Sequence, residues 1–69
     1  MAHRLWSSAR NPTAWVARRL RVSREQLGEA LHTIKRDAGL SPRDHVSIWD
    51  DGSVTDDADV WVGNIYDEI

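Results

Sequence analysis

Residues 23–40, SREQLGEALHTIKRDAGL, contain the signals that decide the fold. Ser23 and Gln26, three residues apart, match a capping box, which predicts a helix that begins at about residue 24. Gly39 can adopt the left-handed conformation that ends a helix, and Pro42 prevents its continuation. The apolar residues recur at the spacing of one helix face; they are Leu27, Ala30, Leu31, Ile34 and Ala38. We therefore predict an amphipathic helix over residues 24–38 whose apolar face joins the core.

A shorter helix is predicted before this one. Asn11 followed by Pro12 is typical of a helix start, because proline tolerates the first helical position. The apolar residues that follow, Trp15, Val16, Ala17 and Leu20, form a short face. Residues 1–10 carry no such pattern, and we expect them to form a flexible N-terminal segment.

The apolar period changes to two after Pro42, which indicates strands. In HVSIW, Val46 and Ile48 alternate with His45, Ser47 and Trp49. DDGS then predicts a turn, and VT resumes a strand after it. VWV predicts a third strand with Val60 and Val62 facing the core and Trp61 on the opposite side. The sequence thus predicts one α+β domain over residues 1–69, with two N-terminal helices followed by a small three-stranded antiparallel meander.

The charges divide sharply along the chain. All nine Lys and Arg residues lie in 1–43 beside three acids (+6), whereas 44–69 carries eight acids and no base (−8), which together give the net charge of −2. Such asymmetry indicates either polyanion binding by the basic part or neutralisation within one fold or across a dimer. With no cysteine, no signal-peptide run and no stretch of about 20 apolar residues, we expect a cytoplasmic protein without a membrane partner.

Two side chains of the second helix are required by neither its core face nor its caps. His32 and Lys35 lie one turn apart on a flank between Gly28 and Gly39. A lysine disfavours the imidazolium of a neighbouring histidine, so His32 could act as a base while Lys35 stabilises a phosphate or an oxyanion. Alternatively, both are ordinary residues at the helix boundary.

Other residues suggest binding rather than catalysis. Arginines at the turn between the helices form a basic face that is either simply solvated or contacts phosphates; they are Arg18, Arg19, Arg21 and Arg24. Trp49 and Trp61 are predicted on the outer side of the sheet, where two tryptophans would form an interaction surface for a partner unless the first helix folds across them. The acidic run DDGSVTDDAD lacks the ligand spacing of a calcium loop, so we predict no metal site and no cofactor.

The run LGEALHTIKRDAGLSPRDHVSIWDDGSVTDDADVWVGNIYDEI, roughly residues 27–68, resembles a short C-terminal module of bacterial polymorphic toxins of the contact-dependent and RHS types. The shared features are an Ala-Leu-His-x-Ile-Lys helix, a Gly-Leu turn, an Asp-Gly turn and a Gly-Asn-Ile-x-Asp-Glu ending. The resemblance implies a nuclease whose motif positions include His32 and Lys35, with Asp44, Asn64 and Asp67 as the other matching positions.

Two functions stay open at this point. One is a non-enzymatic binding or self-associating module, with a protein partner or a second copy of the chain as its ligand. The other is a metal-independent ribonuclease-like toxin domain that uses His32 and Lys35 on RNA.

Overall fold

The computed structural model describes residues 2–69 and has an α+β fold, in which two helices pack on one face of a four-stranded antiparallel sheet. The strands are Arg4–Ser8 (β1), Val46–Trp49 (β2), Ser53–Thr55 (β3) and Trp61–Asn64 (β4); the helices are Ala14–Leu20 (α1) and Arg24–Asp37 (α2), and the 3₁₀ helix Ile65–Glu68 (η1) follows β4. The strands lie in the order β1-β2-β3-β4.

Helix α2 confirms the signals that predicted it. Ser23 Oγ accepts the Gln26 N–H at 3.0 Å, and Gln26 Oε1 accepts the Ser23 N–H at 2.9 Å, which completes the capping box. At the other end Gly39 has φ +74°, and the Leu40 N–H donates to the Lys35 carbonyl at 2.8 Å. The prediction for Ala38 was wrong: it caps the helix and is exposed.

Helix α1 is shorter than predicted. Its N-cap is Thr13 and not Asn11, because the backbone of Thr13 is still extended (φ −80°, ψ 166°). Val16, Ala17 and Leu20 are buried as predicted. Trp15 does not belong to the buried face; it is 45 % exposed, because the core lies on the side of α1 that Val16 and Leu20 share.

The sheet has one strand more than the sequence predicted. Residues 4–8 of the segment expected to be flexible form β1, which pairs with β2 so that Trp6 lies opposite Ile48 and Ser7 opposite Ser47. The register shifts between Arg4 and Trp6. Consecutive Leu5 and Trp6 are both partly buried against the core, so β1 lacks the alternation by which strands are found. Met1, the first residue of the expected flexible segment, lies outside the described residues.

Strand β4 begins one residue later than predicted. Val60 was expected to face the core but precedes the strand and is 57 % exposed, whereas Val62 is half-buried against the core as expected. The register shifts between Val54 and Thr55, so that Gly63 rather than Val62 lies opposite Val54.

One hydrophobic core lies between the helices and the sheet. Its fully buried members come from every helix and from β2 and β3; they are Val16, Ala17, Leu20, Leu27, Ala30, Leu31, Ile34, Val46, Ile48, Val54 and Ile65. Helix α2 and the sheet approach each other closely at Gly63. A Cβ atom at Gly63 would lie 2.9 Å from Ile34 Cγ1, inside van der Waals contact. The absence of a side chain at this position therefore sets how close α2 can come to β4.

We expect Gly63→Ala to lower the free energy of unfolding by about 1–3 kcal/mol, because the added methyl group overpacks the contact with Ile34. Gly28→Ala is the matched control: nothing lies within 4 Å of a Cβ at Gly28, and alanine favours a helix interior by up to about 1 kcal/mol. Urea denaturation followed by tryptophan fluorescence measures the free energy of unfolding of both variants. A wild-type midpoint for Gly63→Ala would contradict the close approach of α2 to β4.

Candidate functional site

The sheet has an inner face covered by the helices and an outer face that they leave uncovered. Val46, Ile48 and Val54 point inward to the core. Side chains at the alternate positions define the outer face; together with the β1 residues paired to them they are Arg4, Ser7, Ser47, Trp49, Thr55 and Trp61. The structure therefore brings Trp49 and Trp61, predicted as interaction residues, to one face.

The two tryptophans differ in exposure. Trp61 lies opposite Thr55 and is 59 % exposed, and Val60 beside it is also exposed. Trp49 is partly buried, and its indole N–H donates to Thr55 Oγ1 at 3.0 Å. Thr55 is itself 9 % exposed, so the ring of Trp49 has a fixed orientation while Trp61 presents most of its surface to solvent.

Arg4 lies across the outer face and contacts Trp49. Its guanidinium carbon is 5.2 Å from the centroid of the Trp49 ring, within the range of a cation–π contact. Its Nη2 donates to Asp59 Oδ1 at 3.3 Å, which links β1 to the loop between β3 and β4. Sequence reasoning missed this contact, because Arg4 and Asp59 are 55 residues apart and the strand that carries Arg4 was not predicted.

A row of polar side chains crosses the same face beside Arg4. Ser47 Oγ donates to Ser7 Oγ at 3.1 Å, and Ser7 Oγ lies 3.3 Å from His45 Nε2. His45 Nδ1 is 3.9 Å from Asp57 Oδ1. Although the order serine, histidine, aspartate is that of hydrolase triads, the Asp57 side chain is 90 % exposed and cannot hold the imidazole as a buried carboxylate does. The row is better explained as hydrogen bonding that joins β1 to β2.

The division of charge along the chain becomes a division between layers. The sheet layer and η1 contain seven of the eight acids of residues 44–69, and Arg4 is the one Lys or Arg in the four strands of the described chain. The exposed arginines of the helical layer are Arg18, Arg19, Arg21, Arg24 and Arg36. The outer face is therefore bordered by carboxylates, whereas the basic surface lies on the helices.

His32 and Lys35 line one cleft at the C-terminal end of α2, together with Leu40 and Pro42; its volume is about 320 Å³. His32 is exposed, but Lys35 is buried, with 5 % of its surface accessible. Lys35 Nζ donates to the Pro42 carbonyl at 3.0 Å. Burial lowers the pKa of Lys35, and the nearby charge of Asp44 partly offsets the effect. Lys35 thus ties the loop after α2 to the helix.

The four arginines predicted to bind phosphate lie elsewhere. Arg18 and Arg19 are in the last turn of α1, and Arg21 caps it with φ +61°. Arg24 begins α2 and lines a separate depression with Asn11 and Pro12. All four are exposed at the connection between the helices, and none lines the cleft of His32 and Lys35.

The other positions that the resemblance singled out have structural contacts. Asp44 Oδ2 accepts the Ser41 N–H at 2.8 Å in the loop after α2. Asn64 Oδ1 accepts the Tyr66 N–H at 2.9 Å, and Asn64 Nδ2 donates to the Asp51 carbonyl at 3.3 Å, so Asn64 joins η1 to the turn between β2 and β3. Asp67 is exposed in η1.

Neither a metal cluster nor a membrane span is found in the part of the chain that the structure describes. No group of three or more His, Asp and Glu side chains within residues 2–69 is arranged to hold a metal ion. No helix in this range combines the length and the apolar character required to cross a bilayer.

Comparisons with known proteins identify no relative. No family model matches the chain, and neither a curated protein nor a solved structure matches it. The function must therefore be inferred from the residues themselves.

We expect the pKa of Lys35 to lie below 10.5, because burial disfavours the ammonium form. Lys35 is the only lysine in the sequence. Protein labelled with ¹³C-lysine therefore gives a single side-chain Cε signal, whose titration with pH measures this pKa. Asp44→Asn should lower the pKa further, since the carboxylate of Asp44 favours the charged amine.

The same shift makes stability depend on pH. Between the pKa of folded Lys35 and 10.5 the unfolded chain binds more protons, so the contribution of Lys35 to the free energy of unfolding rises with pH. Wild type should gain stability relative to Lys35→Met across this window in urea denaturation. A titration midpoint at or above 10.5 would contradict the burial of the amine.

Proposed function

We propose that this protein is a non-enzymatic binding module whose outer face docks on a protein partner. The observation that carries the proposal is Trp61, a large side chain 59 % exposed on a sheet face that the helices leave uncovered. Burying the rest of its surface against a partner would contribute about 2–4 kcal/mol. Val60, which precedes Trp61 in the chain, is exposed as well.

The surroundings of Trp61 suit a binding site. Trp49 is held by its hydrogen bond to Thr55, so this part of the face loses little side-chain entropy when a partner binds. An exposed aromatic anchor surrounded by polar side chains is the arrangement of many protein interfaces, where tryptophan is enriched among the residues that dominate affinity.

We expect Trp61→Ser to weaken a partner complex by about 30-fold or more, as the loss of a central aromatic anchor does. Trp15→Ser is the matched control, because Trp15 is also half-exposed but lies on α1. Partners captured by the wild-type protein from a cell extract would be purified, and their affinities for wild type and both variants measured by calorimetry.

Sedimentation equilibrium of the same three proteins tests whether the partner is a second copy of the chain. Equal weakening of the partner complex by Trp61→Ser and Trp15→Ser, or no effect of Trp61→Ser, would contradict the proposal that the outer face is the docking surface.

A second candidate is a metal-independent ribonuclease-like domain that uses His32 as a general base. The observation that favours it is the cleft of about 320 Å³ that His32 shares with Lys35 and Arg36. Two observations weigh against it. The Lys35 ammonium donates to the Pro42 carbonyl, and the arginines expected to hold phosphate do not line the cleft. We therefore rank it below the binding module.

The ribonuclease candidate predicts that pure protein cleaves bulk cellular RNA and that His32→Ala loses about 100-fold or more of the rate, as expected for removal of a general base. His45→Ala is the control, because His45 contacts Ser7 of β1 and does not line the cleft. The proteins are incubated with the RNA in the presence of a metal chelator, and gel electrophoresis of the RNA then measures cleavage by the wild type and by both variants. Intact RNA, or equal cleavage by His32→Ala, would exclude this role of His32.

A further inference from the structure

We propose that the outer face contains a binding site for the guanidinium group of an arginine on a cationic protein partner, and that the chain's own Arg4 occupies this site in the free protein. The inference rests on the proposed function and names the chemistry of its partner. It starts from a guanidinium that is already seated between an aromatic ring and a carboxylate.

The two sides of the site are Trp49 and Asp59. The Arg4 guanidinium carbon lies 5.2 Å from the Trp49 ring centroid, and Arg4 Nη2 is 3.3 Å from Asp59 Oδ1. A planar guanidinium can stack on an aromatic face and donate to a carboxylate at the same time, which an ammonium group does less well. The chemistry of the site therefore selects arginine.

The ring of Trp49 and the loop that carries Asp59 are held independently of Arg4. The indole of Trp49 is fixed by its hydrogen bond to buried Thr55. The loop that carries Asp59 is closed by Asp56, whose Oδ1 accepts the N–H groups of Ala58 and Val60 at 2.9 and 3.0 Å. The backbone of Asp59 is left-handed, with φ +62°. When Arg4 leaves, the ring and the loop backbone that carries Asp59 therefore stay in place for another arginine.

Arg4 itself is held weakly. Its side chain is 48 % exposed and that of Asp59 is 71 % exposed. Exposed ion pairs and exposed cation–π contacts are each weak, so a partner's arginine can replace Arg4 at small cost. Arg4 would then lower the affinity of the site by competing for it within the same chain.

Charge complementarity identifies the occupant as cationic. Residues 44–69 carry eight acids and no Lys or Arg, and three of these acids, Asp56, Asp57 and Asp59, lie in the loop beside the site. A basic segment is attracted to this border and an acidic one is repelled. An arginine-bearing segment that seats one side chain over Trp49 would also lie near exposed Trp61 on the same face.

The test uses the full chain and three capped peptides of the same length: Gly-Arg repeats, Gly-Lys repeats and Gly-Gln repeats. Calorimetry at about 0.15 M salt, where exposed charges are screened beyond roughly 8 Å, would compare wild type with Arg4→Ala. We expect Arg4→Ala to bind the arginine peptide about five- to tenfold more tightly than wild type, because an internal competitor has been removed. The lysine peptide should bind less tightly and the glutamine peptide should not bind.

Matched variants separate a specific site from general charge. Arg43→Ala removes the same charge from the exposed loop after α2 and should leave the affinity within about twofold of wild type, as a distant charge screened by salt would. Adding Asp59→Asn to Arg4→Ala should cancel the gain. Arg4→Gln, which retains a long side chain in β1, repeats the test if Arg4→Ala proves unstable.

A measurement on the wild-type protein needs no substitution. In ¹⁵N NMR spectra, the Nε–H signal of Arg4 should move to the position of a solvated arginine as the arginine peptide is added, because the peptide displaces it. The proposal is overturned if folded Arg4→Ala and Arg4→Gln bind no peptide, or if Arg43→Ala gives the same gain as Arg4→Ala. If the protein self-associates and Asp59→Asn abolishes this self-association, the arginine that occupies the site comes from a second copy of the chain and not from a separate partner.

The outcomes also separate this inference from the proposed function. A partner whose affinity depends on Trp61 but not on Arg4 or Asp59 would leave the binding module standing and remove the guanidinium site. If Arg4→Ala binds the arginine peptide more tightly but the affinity of partner complexes does not depend on Trp61, the guanidinium site is supported and Trp61 is excluded as the docking anchor.

Discussion

The contact between Ile34 of α2 and Gly63 of β4 determines how closely the helical layer approaches the sheet. A side chain at Gly63 would occupy the space that Ile34 fills, so the helix could not reach the sheet at this distance. Because α2 lies there, the inner side chains of β2 and β3 are fully buried in a domain too small to form a second core. The other face of the sheet is left to the solvent, and the function we propose depends on that face.

The outer face is not simply a polar surface. Ser47 and Thr55 are buried on it, Trp49 donates to Thr55, and Arg4 covers part of Trp49. Trp61 is the large apolar side chain that lacks such a cover on this face and remains mostly exposed. On an ordinary solvated sheet face the outward side chains are polar and exposed. On this face polar side chains are buried and a tryptophan is exposed. For this reason we place binding there and not at the helical cleft.

The cleft at the end of α2 illustrates how the same residue types can serve the fold. Lys35 was a candidate for phosphate stabilisation because neither the core pattern nor the capping pattern required it. In the structure its amine donates to the Pro42 carbonyl, and Asp44 nearby offsets part of the cost of burying the charge. Asn64, another position in the motif, caps η1 and holds the preceding turn. In this chain, Lys35 and Asn64 therefore have structural contacts that account for them without a catalytic role.

The sequence by itself determined the α+β class, the start of α2 at Arg24 and the left-handed Gly39 after its end, the core positions of β2 and the outward direction of Trp49 and Trp61. These features depend on interactions between residues close in the chain, such as the capping box of Ser23 and Gln26 and the alternation in HVSIW. Only the tertiary structure decided that residues 4–8 form a strand, because the partner of Ser7 is Ser47, 40 residues away, and β1 has no alternating pattern of its own. The Arg4, Trp49 and Asp59 contact follows from that pairing, since a site built across distant strands leaves no local signal in the sequence.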